Sequence, residues 1–495
     1  MSRLKGQNGS STIDRLVIVS NRLPIVLMRG DLGQWQVQPS SGGLVTALTA
    51  VLRGRGGLWL GWPGPLEDVD LNELLIVASQ SLGYMLKPVS LTKEEIDQYY
   101  FGFSNEIMWP LFHDLQSRCN FDPAYWNMYQ AVNRKFAQVI ADNARTSDYL
   151  WVQDYHLMLV AKELRRMGVE NKLGFFLHIP FPPPDIYIKL PWRAQILEAM
   201  LQYDLVGFQT PRDRNNFIHC VEAMLKGPRV DARRRVSGII TPTREIVVGS
   251  FPISIDFKDF ARRAASYMVA KKARELREAV PNCQIILGVD RLDYSKGIPE
   301  KLRAFRNALE RFEELRGEIV LLQIVVPSRE DIAEYRALRA EIESLVGEIN
   351  GEFTQPGWIP IHYMFRSLEQ TDLLAYYRAA DVALITPLKD GMNLVAKEYC
   401  VANIDRNGVL ILSEFAGAAT QLRRNSLLVN PYDIEGVAYA IHRAYDMSPG
   451  ERQMRMQRLR QSIAKRDIFW WVDSFLQAAF GVLTDNEGQH GVQRR

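Results

Sequence analysis

The stretch from Asp381 to Glu398, DVALITPLKDGMNLVAKE, decides how the chain is read. Asp381 to Thr386 is an apolar strand, Pro387 breaks it, and Lys389-Asp390-Gly391 makes a turn. A helix starting near Met392 carries Glu398 in its second turn. Proline cannot continue a strand ladder, and glycine lets a ligand approach the backbone closely. Strand end, glycine turn and helix start therefore set two carboxylates around fresh helix N–H groups, which attract anions. A site that holds a diphosphate and an array of sugar hydroxyls at once needs this combination, so a nucleotide-sugar enzyme is the leading reading.

Working outward, similar apolar runs recur, each ending in polar or glycine-rich residues: RLVIVS (Arg15 to Ser20), YLWVQ (Tyr149 to Gln153), LGFFLH (Leu173 to His178), LVGFQ (Leu205 to Gln209), QIILGV (Gln284 to Val289) and VLLQIVV (Val320 to Val326). Amphipathic segments such as Glu300 to Arg316 and Arg329 to Ile349 lie between strands and predict helices. Continuous apolar strands alternating with helices predict parallel sheets covered on both faces. The basic stretch from Lys226 to Glu245 reads as an exposed loop or hairpin, and a boundary falls near residues 245 to 260. The expected fold is α/β, with two Rossmann-like doubly wound domains facing a deep cleft. They cover 15–250 and 251–465, after a flexible tail over 1–14. The aromatic run Asp467 to Leu483 predicts a helix that packs back on the first domain, within a C-terminal segment 466–495.

The 495 residues suffice for two or three cores, and 47% hydrophobic with 24% charged residues is ordinary for a globular protein. A net charge of +3 argues against nucleic-acid or membrane-surface binding. The four cysteines (Cys119, Cys220, Cys283, Cys400) form no CxxC pair and read as free thiols in a reducing cytoplasm. No run reaches the ~18 apolar residues of a membrane span. Neither a GxxxxGK[ST] loop nor a strand-linked GxGxxG is present, and HExxH and GxSxG are absent as well.

Polar chemistry follows the strands: Asn21-Arg22, Asp154-Tyr155-His156, Ile179-Pro180, and Pro327-Ser328-Arg329. In an open α/β sheet such strand ends line the ligand crevice. After QIILGV, the run DRLDYSKG places Arg291 and Lys296 five residues apart at the start of a βα connection. Arginine supplies a planar fork and lysine a mobile point charge, which together suit a diphosphate. The plainer reading is a pair of surface cations balancing Asp290 and Asp293.

These motifs resemble the trehalose-6-phosphate synthase family, retaining glucosyltransferases of the GT-B architecture. The resemblance runs from about Arg15 to Phe480 and includes SNRLP, SGGLVTAL, YYFGFSNEIMWPLFH, WVQDYHL, GFFLHIPFP, DLVGFQT, DRLDYSKG, PSRED, INGEF, LKDGMNLVAKEY and SEFAGAA. It implies glucose transfer from UDP-, ADP- or GDP-glucose to glucose 6-phosphate, with the acceptor on the first domain and the donor on the second. No metal and no resident cofactor are implied.

Residue by residue, Arg22 and Arg329 resemble the ligands of the acceptor phosphate, and Trp62, Tyr100 and Trp109 the lining of that pocket. Asp154 resembles the carboxylate that binds acceptor hydroxyls. His178 resembles the histidine on the donor glucose, while Arg291 and Lys296 resemble the pair on the diphosphate, with Gly43 a backbone contact near it. Asp390 with Met392, Asn393, Leu394 and Val395 resembles the cradle for donor glucose and phosphate, and Glu398 the ribose anchor. Arg291, Lys296, His178 and Asp390 form the implied catalytic set. A glucosylglycerol-phosphate synthase differs mainly in the acceptor pocket; a glycogen- or starch-synthase-like enzyme needs a polymer groove; a non-catalytic sugar-phosphate sensor is the remote alternative. Partners are expected to be small molecules, in a cytoplasmic dimer or tetramer.

Overall fold

The computed structural model describes residues 15–29, 35–39, 43–52, 56–64, 71–232, 236–329 and 332–481. The tail 1–14, Ser41 and Gly42 of SGGLVTAL, Arg233 to Arg235 of the basic loop, Glu330 and Asp331 of PSRED, and 482–495 lie outside the described residues. Contacts divide the chain into unit 1, Met1–Phe251 with Phe469–Arg495, and unit 2, Pro252–Ile468.

Unit 1 contains β1 (Leu16–Arg22), β2 (Ile25–Arg29), β3 (Trp35–Pro39), β4 (Leu58–Trp62), β5 (Met85–Pro88), β6 (Tyr149–Gln153), β7 (Leu173–Phe176), β8 (Leu205–Phe208), β9 (Arg229–Ala232), β10 (Val236–Ile240) and β11 (Glu245–Ser250). Its nine-stranded sheet runs β5-β4-β1-β6-β7-β8-β11-β10-β9. Strands β5 through β11 in that order pair in parallel, and β10 and β9 add an antiparallel edge. That edge is the basic stretch after Lys226, folded as a hairpin, while β2 and β3 pair separately. Every residue of LWLGW and YLWVQ is buried, as strands covered on both faces require. Helix Ile468–Ala479 packs here as well: the Phe475 ring stacks on Trp151 at 4.5 Å, and the Trp471 indole N–H donates to the Phe251 carbonyl at 3.1 Å.

Unit 2 contains β12 (Gln284–Arg291), β13 (Ile319–Val326), β14 (Ile361–Phe365), β15 (Val382–Ile385), β16 (Val409–Ser413) and β17 (Leu427–Val429). They form one six-stranded parallel sheet in the order β14-β13-β12-β15-β16-β17. In each unit the chain lays strands to one side of the first strand, then returns to build on the other side. The order therefore reverses between β1 and β6 in unit 1 and between β12 and β15 in unit 2. A doubly wound sheet binds its ligand outside the carboxyl ends of the strands at such a reversal.

Helix bounds differ from the sequence reading where the backbone turns left-handed. The helix expected from Arg329 runs Ala333–Phe353, because Arg329 sits at φ +50. The helix expected near Met392 runs Leu394–Ala402, because Asn393 (φ 63) is its cap. The helix read as Glu300 to Arg316 spans Ile298–Arg311. Among the described residues no helix is long and apolar enough to cross a membrane.

Candidate active site

In unit 2 the loops after β12 and β15 meet across the reversal point. Lys296 reaches Asp390 with Nζ 2.6 Å from Oδ2, joining residues 94 apart in sequence. Asp390 also accepts from the Met392 backbone N–H at 3.1 Å and from the Asn393 amide at 3.2 Å. Asn393 in turn caps the helix by accepting from the Ala396 N–H at 3.1 Å. One carboxylate thus fixes both the lysine and the turn that feeds the helix N-terminus, where orphan N–H groups gather. Gly297 sits at φ +63, and a Cβ there would lie 2.8 Å from the Thr386 carbonyl oxygen, so glycine lets the two loops touch.

The SEFAGAA loop after β16 supports this turn, a role that sequence reading did not assign. The Gly417 N–H donates to the Asp390 carbonyl at 2.8 Å and the Ala418 N–H to the Met392 carbonyl at 2.7 Å. A Cβ on Gly417 would fall 1.8 Å from the Gly391 carbonyl oxygen.

Arg291, at the end of β12, is half exposed and places Nη2 3.3 Å from Asp293. Beneath it, Lys301 pairs with Asp290, which also accepts from the Gln323 amide at 3.0 Å; all three are buried. Glu398 is half-buried and accepts from the Tyr377 hydroxyl at 2.9 Å; burial pushes its carboxyl pKa up and the tyrosine bond pulls it back. Its neighbour Lys397 is buried and donates to the Ile253 carbonyl at 2.6 Å, tying the helix to the opening segment of unit 2. Burial, with Arg466 nearby, brings that amine down to about 7.

In unit 1 the loops after β1, β4 and β6 converge. The Arg22 guanidinium lies 4.0 Å from the Trp62 ring centre and 5.7 Å from that of Tyr100. Tyr100 stacks on His156 at 5.9 Å and 12°. Tyr100 comes from a 13-residue π-helix, Ile96–Met108, a form that concentrates at functional sites. Its neighbour Tyr99, fully buried, donates to the Asn21 side chain at 3.1 Å. Trp109 is buried against His113 (4.2 Å) and Tyr155 (5.9 Å), beside the Asp154 turn. Gly43 is the first residue of helix Gly43–Leu52.

Asp154 follows β6 at φ 72, ψ 168, a region that costs a non-glycine residue about 1–3 kcal/mol and persists where surroundings over-determine it. Its carboxylate accepts from the His178 backbone N–H at 3.1 Å. Burial pushes this carboxyl up to about 6, against N–H groups of His178, Tyr155 and Ile179 that favour its charged form. Since the folded value exceeds the ordinary 3.8, the group's contribution to stability is fully present below about 3.8 and is lost as pH rises through 6. Asp154→Asn is therefore expected to be more stable than the parent at pH 8 and to lose this part of the pH dependence. Thermal unfolding at pH 4, 6 and 8 checks it; equal offsets between variant and parent at all three would contradict it.

His178 is held by two glutamines. Its Nε2 lies 2.9 Å from Gln153 Oε1 and its Nδ1 3.2 Å from Gln209 Nε2, which fits the Nε2–H tautomer. Burial holds its pKa down to about 3, so the ring is neutral. Both ring nitrogens are engaged by glutamines, which fix the orientation of the imidazole. Gln153 and Gln209, which end β6 and follow β8, were missed because nothing in their motifs ties them to a histidine. The structure brings Arg22, Trp62, Tyr100, Trp109, Asp154 and His178 to unit 1, and Arg291, Lys296, Arg329, Asp390, Met392 to Val395 and Glu398 to unit 2. Arg329, read as an acceptor ligand with Arg22, lies in unit 2 beside Tyr335.

Two doubly wound, largely parallel sheets, with cations and carboxylates at their reversal points, are the architecture of the GT-B glycosyltransferases, and the matches to solved structures place the chain in that class. The profile of glycosyltransferase family 20 matches residues 14–480. The chain is 44% identical over 467 residues to the trehalose-6-phosphate synthase of Mycolicibacterium vanbaalenii, covering 93% of this chain and 95% of that protein. It superposes with TM-score 0.85 and 35% identity on an alpha,alpha-trehalose-phosphate synthase (UDP-forming) from Burkholderia xenovorans in complex with glucose-6-phosphate, over 94% of this chain and 100% of that one. For the E. coli protein bound with UDP-2-fluoro glucose the TM-score is 0.82 at 37% identity, over 94% and 98% of the two chains. The chain belongs to glycosyltransferase family 20.

Proposed function

We propose that this glycosyltransferase makes α,α-trehalose 6-phosphate, moving glucose from UDP-glucose to glucose 6-phosphate with retention of configuration. What carries the reading is the Lys296–Asp390 pair, which ties the two loops of the unit 2 reversal point together at the tip of helix Leu394–Ala402. The choice of uridine rests on the UDP-forming Burkholderia relative and the UDP-2-fluoro glucose bound by the E. coli one. On this reading the bond from glucose C1 to the diphosphate oxygen breaks, charge builds on the leaving oxygens, and Arg291 and Lys296 meet it. Preorganised groups of this kind contribute about 3 kcal/mol each. The acceptor's anomeric oxygen bonds to C1 from the same face, and its proton passes to the leaving phosphate. The transfer needs no metal, because the side-chain cations supply the charge. By resemblance, Arg22 over the indole of Trp62 and Asp154 are the acceptor groups of unit 1, for phosphate and hydroxyls, and Arg329 is the acceptor-phosphate group of unit 2. Glu398, oriented by Tyr377, holds the ribose.

The test is a panel of UDP-, ADP- and GDP-glucose with glucose 6-phosphate, glucose or a glucan as acceptor, following nucleotide release and identifying the sugar by NMR. Trehalose 6-phosphate formed fastest from UDP-glucose supports the reading. Elongation of glucan, or no transfer to glucose 6-phosphate, overturns it.

A further inference from the structure

We propose that Asp293 is a positioning residue that joins Arg291 and Arg329 into one charge network, so that donor and acceptor phosphates bind cooperatively. The proposal rests on the functional reading above and names a group that reading does not use. The Asp293 side chain has 0% exposure, and its two oxygens do separate work. Oδ1 caps the short turn Tyr294–Lys296, accepting from the Ser295 N–H at 3.0 Å and the Ser295 hydroxyl at 2.8 Å. Oδ2 faces Arg291 Nη2 at 3.3 Å, the Tyr335 hydroxyl at 3.3 Å and Arg329 Nη1 at 3.7 Å. Tyr335, on helix Ala333–Phe353, accepts from Arg329 at 2.6 Å while it donates to Asp293; burial pushes its phenol pKa up, so it stays a neutral donor.

The buried Asp293 carboxylate thus stands between two guanidinium groups and fixes the separation of two groups that would otherwise repel. A phosphate that orders Arg329 also orders Tyr335 and Asp293, and through Oδ2 the Arg291 guanidinium, so the second phosphate meets a network already fixed. Coupling of this kind is reciprocal, so each ligand tightens the other by the same factor.

The experiment measures UDP affinity by calorimetry with and without saturating glucose 6-phosphate, together with KM and kcat, for the wild type, Asp293→Asn and Tyr335→Phe. Asparagine keeps the Oδ1 cap, so the turn is retained, and thermal unfolding verifies the fold. In the wild type glucose 6-phosphate is expected to tighten UDP binding; in D293N that factor falls toward one, so KM for glucose 6-phosphate at saturating donor rises by the lost factor. UDP affinity in the absence of glucose 6-phosphate does not fall in D293N, because a negative charge beside Arg291 has been removed. Y335F is expected to raise KM for glucose 6-phosphate while UDP affinity in its absence stays within about twofold. D293N and Y335F that match the wild type in coupling and in KM overturn the proposal. A wild type that forms no disaccharide from glucose 6-phosphate overturns the functional reading instead.

Discussion

Lys296→Ala is expected to lower kcat by about 10²- to 10³-fold, the loss that follows removal of one preorganised donor to a developing negative charge. The effect has two sources. The ammonium that meets the leaving diphosphate is gone, and Asp390 loses the Lys296 Nζ that lies 2.6 Å from its Oδ2. Asp390 still accepts from Met392 and Asn393, so the turn itself survives. Thermal unfolding is therefore expected to change little while steady-state turnover collapses. A variant that turns over at the parental rate would remove Lys296 from the mechanism; one that unfolds in parallel with its activity would make the lysine a stability element.

Gly417→Ala is the second large effect, and it acts through the backbone of the Asp390 turn. The added Cβ would stand 1.8 Å from the Gly391 carbonyl oxygen and 2.6 Å from its carbon. Both are backbone atoms, so neither a rotamer change nor a flexible side chain relieves the overlap, and the turn 390–392 must move. A displacement of about 1 Å at a reacting centre costs on the order of 10²-fold in rate. Activity is expected to fall by at least that much. Stability should fall by about 1–3 kcal/mol, the usual cost of overpacking. Paired kinetics and denaturation test this: parental kcat in G417A would show that the SEFAGAA loop does not set the Asp390 turn.

Much of the scaffold was legible in the sequence because strands covered on both faces are continuous apolar runs, as YLWVQ and VLLQIVV are. The groups at strand ends followed directly, which is how Arg22, Asp154, Arg291 and Asp390 were singled out. Strand order was not legible: periodicity states that a strand exists, and only the fold states which one lies beside it. Helix starts were misplaced at Arg329 and Asn393, where non-glycine residues adopt left-handed backbone that no composition rule announces. Partners distant in sequence were invisible for the same reason. Gln209 meets His178 from 31 residues away and Tyr335 meets Asp293 from 42 away, both through folding alone. Asp293 was visible in DRLDYSKG, yet its charge alone supported no more than a surface balance for Arg291 and Lys296. Its complete burial changes that reading.

The central claim is that the reversal point of unit 2 holds a nucleoside diphosphate through Arg291 and Lys296. Titration calorimetry of UDP into the full chain and into an Arg291→Ala, Lys296→Ala double variant tests it most directly. Loss of two charge-assisted phosphate contacts predicts a Kd weakened by at least about 10²-fold, with the variant's fold retained. Equal UDP affinity in parent and double variant would contradict the account.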